Sequence, residues 1–283
     1  MSIIFNFINN NQFKAMKKLS IIAVAFAAIA FAACGNKTAK NTESVDSTVK
    51  SFEQEQIEAG IKMHVDSLAA EMGKLKQLPF LQATDKGGFE LTKEEQKVKP
   101  DYLLDPAIAD NATTLPEKYR FLSALDIDRR VARLYEMPTE DYDKAITKLA
   151  ADINDPSFKG LSDAGNISET TEALYNAMSE NGRINYFWQI AASSLIEQLY
   201  LVNQNSEKFL GSFTDENAAN TTFRIVLILD ALDRLSEYDP EIKPVADALA
   251  PLNVLNATSV NELKAQLAEA KDKIVAAREA LVK

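Results

Sequence analysis

The densest group of chemically capable side chains in the sequence is Asp126-Ile127-Asp128-Arg129-Arg130, set in a stretch whose neighbours are largely apolar. Two carboxylates and two guanidiniums this close together have three possible uses. They can pair with one another, they can hold an anionic or sugar ligand through the arginine fork, or the acids can move protons. On a helix, positions four apart share a face, so Asp126 is predicted to pair with Arg130, and Asp230 with Arg234. An exposed pair of this kind contributes only about 0.3–0.5 kcal/mol. The leading expectation is therefore structural ion pairing. A ligand cluster made of Asp126, Asp128, Arg129 and Arg130 is the alternative.

Other chemistry is sparse. The chain has one histidine, His64, and one cysteine, Cys34. Zinc and copper centres built on imidazole or thiolate need more of both, so no metal site is expected. A Ser-His-Asp triad would have to use His64, which falls beside the apolar stripe of a helix and reads as a rim histidine without a role. Asp126-x-Asp128 lacks the glycine and terminal glutamate of a calcium loop. Nucleotide-binding glycine patterns, the GxSxG elbow and the HExxH zinc motif are all missing. No cofactor and no catalytic residue is expected, and an enzyme using carboxylate chemistry is the least favoured class.

The cysteine has a distinctive setting. Lys17 and Lys18 precede an uncharged apolar run from Leu19 to Ala30, and Phe31-Ala32-Ala33 leads directly into Cys34. A basic start, an apolar run too short to span a bilayer and small residues at the end describe a cleaved export signal. The small-small-Cys ending resembles the lipobox of bacterial lipoproteins, which implies acylation of Cys34 as the mature N-terminus. Residues 1–15 add nothing such a signal needs, so translation is expected to begin at Met16. The sequence thus divides into a leader and signal at 1–33, a lipidated Cys34 with a flexible tether at 34–44, and one helical domain over 45–283. Gly35, where an inner-membrane lipoprotein of Gram-negative type would carry Asp, implies the outer membrane. The absence of acids close behind the cysteine implies its periplasmic face.

Net charge supports that attachment. The whole chain carries −10, and residues 1–33 hold three lysines and no acid, so the mature chain carries −13. Such a polyanion gains no counterion-release energy from phosphates, which excludes nucleic acid as a partner. Anionic lipid surfaces are disfavoured as well, leaving the acyl chains as the membrane contact.

Glycine and proline number only nine each in the whole chain, and beyond the tether apolar residues recur at helical spacing, predicting an all-α bundle of about seven or eight helices. The first runs over 45–78, with Ile57, Ile61, Val65, Leu68, Met72 and Leu75 on one stripe. Residues 79–114 contain Pro79, Gly87, Gly88, Pro100 and Pro106 and break any period. This segment is expected to be a strap anchored by Phe80, Phe89, Tyr102, Leu103 and Leu104, with a ligand-facing loop as the alternative. Capping boxes at Thr92–Glu95 and Thr114–Glu117 open a short helix and a long one. Helices follow at 140–153 and 168–180. The apolar segments 184–202 and 222–238 are expected to form a central antiparallel pair. A short helix over 243–250 precedes a last one over 259–281, whose seam from Val260 to Leu281 can dock on the bundle or on another chain.

Lys99 to Pro106 and Thr222 to Pro240 are similar to runs in uncharacterised helical lipoproteins of gut-type bacteria. That resemblance implies a lipoprotein with a helical domain and no particular activity. The function expected from the sequence is a lipid-anchored cell-envelope protein acting as a non-enzymatic interaction or assembly module for an unidentified protein partner. The alternative is a lipoprotein that binds a small sugar, peptide or lipid between the central helices and the 79–114 segment.

Overall fold

The protein is described by a computed structural model that covers residues 52–81, 89–158 and 171–282, all within one compact unit. The expectations for the signal peptide, Cys34 and the tether lie outside these residues.

Eleven α-helices and four 3₁₀ turns make up the described residues, with no strand among them. The fold is all-α. In chain order the helices are α1 (Phe52–Gly73), α2 (Lys93–Lys97), α3 (Leu115–Leu134), α4 (Glu140–Ile153), α5 (Thr171–Glu180) and α6 (Ile184–Gln204). They continue with α7 (Ser206–Leu210), α8 (Asp215–Ser236), α9 (Lys243–Leu249), α10 (Val260–Glu269) and α11 (Lys271–Val282). Only α2, α7 and α9 are short, so eight longer helices carry the architecture. None of the described helices is long and apolar enough to cross a membrane.

Helix starts follow local chemistry. Thr92 and Thr114 each accept the backbone N–H three residues on, and Glu95 and Glu117 bond back to the cap backbone, completing both capping boxes. Pro116 sits in the first turn of α3, where its missing N–H has no intrahelical partner to lose. Asn154 ends α4 in a left-handed conformation at φ 48°, which asparagine tolerates.

The core is organised around α6. Phe187, Trp188, Ile190, Leu195, Ile196, Leu199 and Val202 are all buried, as expected for a helix surrounded by others. Its main partner is α3, however, with α11, α5 and α8 around it. The predicted central pairing of 184–202 with 222–238 is therefore corrected, because α8 packs more extensively on α1 and α9 than on α6. The sequence hid the α3–α6 pairing because α3 buries Ser123, Asp126, Asp128 and Arg130 among its apolar residues. Those polar residues dilute its apolar signal.

Three boundaries also differ from expectation. Helix α8 begins seven residues earlier than predicted, at Asp215, because Thr214 and Asn217 form a capping box with asparagine in the place usually held by Glu or Gln. The first helix ends at Gly73, short of the predicted 78, and Ile57 on its stripe is exposed. The last helix is interrupted at Ala270 into α10 and α11. The seam nevertheless docks within the chain, with Leu263, Leu267, Ala270, Ile274, Ala277 and Leu281 all buried. The 79–114 segment carries α2 and two 3₁₀ turns, and it anchors Phe80 and Leu104 in the core.

Candidate functional site

On α3, the cluster read from the sequence divides between two faces. Asp126 and Arg130 are four apart and pair at 3.1 Å; both are buried. Arg129 also bonds Asp126 and reaches Asp143 of α4 at 2.8 Å. Arg130 extends to the Gln77 amide oxygen at 3.4 Å and the Leu81 carbonyl at 3.5 Å. Two carboxylates and two guanidiniums thus balance one another, which matches the ion-pair expectation. Asp128 faces elsewhere, since a residue two positions on points around the helix.

Asp128 belongs to a second, dry cluster that joins three helices. Glu197 of α6 receives two hydrogen bonds from Arg278 of α11, both at 2.8 Å, and Arg278 stands 3.9 Å from Asp128. The Arg278 guanidinium lies over the Tyr200 ring, 3.8 Å from its centroid. Asp128 accepts the Leu104 N–H at 2.6 Å, and Tyr142 donates to the Leu104 carbonyl at 2.7 Å, tying the strap to α3 and α4. Burial, together with the neighbouring Glu197 charge, raises Asp128 well above the usual carboxylate range. Among the described residues Asp128 Oδ1 has no hydrogen-bond partner, and a proton on Asp128 would let it donate to Glu197. Asp128 and Glu197 are each 0% exposed. This cluster is packed core and cannot act on a substrate.

The open site lies on the other side of α3. A cavity of about 80 Å³, partly open to solvent, runs between the end of α1, α3, α5, α6 and α8. Met72, Leu75, Leu174, Phe187, Ile190 and Ile228 are among its apolar lining residues, and Leu78 and Leu81 close it beside the first 3₁₀ turn. The sequence-level alternative placed a pocket between the central helices and the 79–114 segment. The structure keeps α6 and α8 as walls but supplies the rest mainly from α1 and α5. Among the described residues of the strap, Leu81 at its start lines the pocket.

Polar groups enter this pocket from three helices. Asp126 contributes its paired carboxylate from α3. Ser194 and Gln198, one helical turn apart on α6, both line it, and Gln198 is only 7% exposed. Arg224 of α8 lines it as well and donates to the Lys76 carbonyl at 2.9 Å. Desolvation lowers the Arg224 guanidinium to about 10, which leaves it charged at neutral pH. Comparison with protein-family models, with curated proteins and with solved structures finds no match. The site must be read from its own chemistry.

His64, expected to be a rim residue without a role, bonds Asp230 at 3.0 Å and so links α1 to α8. Asp230 also stands 3.8 Å from Arg234, the predicted four-apart pair. Among the described residues, no group of three or more His, Cys, Asp or Glu is placed to hold a metal ion. Sequence reasoning missed Arg224, Gln198 and Arg278 as site residues. For Glu197 a signal existed, since it is the one charged residue of the strongly apolar helix α6, and Arg224 is the one charge between Ala218 and Leu229 of α8.

Proposed function

We propose that the protein is a lipid-anchored component of the cell envelope whose helical domain holds a small, largely apolar ligand in the pocket between α1, α5, α6 and α8. The observation that carries this reading is the pocket itself: concave, walled by apolar side chains, with a few polar groups converging from separate helices. That combination is the usual make-up of a small-molecule site. The large apolar side chains that are exposed among the described residues are Ile57 and Met63 on α1, Val98 after α2, Tyr238 after α8 and Val254 in the last 3₁₀ turn. Apolar residues scattered in this way need no partner to cover them, which gives a protein-docking role less support. Acylation of Cys34 would hold the pocket near the membrane on a short tether.

A neutral fluorescent probe tests the reading. N-phenyl-1-naphthylamine should brighten on binding the full chain, and Ala191→Phe, which places a ring in the pocket, should abolish the signal while leaving the thermal transition in place. Equal brightening of both proteins would put the probe elsewhere and sink the assignment.

A further inference from the structure

Two features of the pocket remain unused by a purely apolar ligand. Gln198 is more than nine-tenths buried, lines the pocket, and makes no side-chain hydrogen bond to the described residues. Its amide has no protein partner among the described residues and is not sealed from the pocket, so it is available to a polar group held there. Arg224 lines the same space, and its one hydrogen bond is to the Lys76 carbonyl, with no carboxylate partner among the described residues. Every other polar charge at the pocket is already balanced, since Asp126 is held between Arg129 and Arg130. Ser194 adds a hydroxyl on the Gln198 face of α6.

We infer that the ligand is an amphiphile with a single carboxylate head, its apolar body lying against Leu75, Leu174, Phe187 and Ile228. Arg224 supplies the charged donors for the head, and the Gln198 amide and Ser194 hydroxyl complete its hydrogen bonding. A guanidinium suits this task because its planar fork matches the two oxygens of a carboxylate. A cationic head would meet Arg224 with like charge, and an alcohol head would leave the guanidinium without a counter-charge. This inference rests on the pocket being the ligand site.

Titration calorimetry of the full chain with decanoate, decanol and decyltrimethylammonium tests it. Decanoate should bind at least tenfold more tightly than decanol, and the cation should not bind. Arg224→Gln should weaken decanoate by about 10- to 100-fold, the loss expected for a charge-assisted hydrogen bond, and leave decanol unchanged. Arg224→Lys, which keeps the charge without the fork, should fall between the two. Gln198→Leu should weaken decanoate several-fold. Equal affinity for decanoate and decanol, or an Arg224→Gln variant indistinguishable from wild type, would overturn the carboxylate assignment while leaving the pocket as a ligand site. Silence from all three amphiphiles, with no response of the neutral probe to Ala191→Phe, would overturn both.

Discussion

Glu197 and Arg278 lie on different helices and meet through two parallel hydrogen bonds of 2.8 Å, with the Glu197 side chain fully shielded from water. Asp128 sits beside this pair without adding a second net charge if it keeps its proton. Breaking a buried pair by removing one member strands the other charge. Arg278→Leu should therefore cost about 3–5 kcal/mol in urea unfolding. Asp128→Asn should cost less than about 1 kcal/mol, because an amide keeps both the donor toward Glu197 and the acceptor for Leu104. A loss for Asp128→Asn as large as for Arg278→Leu would show that Asp128 is charged.

The same group sets a sign for alkaline sensitivity. Asp128 has a folded-state value above the usual 3.8, so its contribution is full below that value and is lost as pH rises through the raised one. The asparagine variant has no proton to lose. Its unfolding midpoint should vary less than that of the wild type as pH is raised above 3.8.

At the start of α3 the sign is reversed. Backbone hydrogen bonding to Thr114 holds Glu117 down at about 2, against an ordinary 4.5. Its contribution is present above 4.5 and is lost as pH falls through about 2. Glu117→Gln should erase this acid-side decline, and Thr114→Ala should cost about 1 kcal/mol at neutral pH as the cap is removed. Urea titrations at several pH values measure both.

Core substitutions separate the helices by depth. Leu122→Ala, at a position with no exposure between α3 and its neighbours, should lower stability by about 2–5 kcal/mol through the cavity it leaves. Leu232→Asp should prevent folding, whereas Leu229→Asp should be milder, because Leu232 is fully buried and Leu229 only partly. Circular dichroism melts would distinguish the two aspartates.

Attachment is tested independently of the fold. Cys34→Ala should move the protein from the membrane fraction to the soluble fraction and remove its acyl label. Retention on membranes would refute anchoring through that cysteine.

Much of the fold was legible because local signals carried it. The capping boxes at Thr92 and Thr114 and the dense apolar run of α6 became the elements their patterns describe, and the seam from Leu263 to Leu281 is buried, though over two helices rather than one. Pairing between helices was less legible. Helix α3 buries the Asp126–Arg130 pair, balanced within the helix, and Asp128, whose partners Leu104 and Arg278 lie elsewhere in the chain, so nothing local marks it as the partner of α6. For the site, the Asp126–Arg130 pair could be read from four-residue spacing. Gln198 could not, because its significance is the lack of a partner, which only the packed structure reveals.

The place of Arg278 in the chain has a consequence for the order of events during synthesis. It follows Glu197 by 81 positions, so α3 and α6 are both made long before the cation that neutralises their acids. A nascent chain that drew these two helices together early would bury uncompensated carboxylate, an expensive state. Closing these helices before α11 is made would leave Glu197 without its arginine. Were the chain exported through the leader-like segment at 1–33, a delay in that closure would keep the polypeptide loose enough to thread.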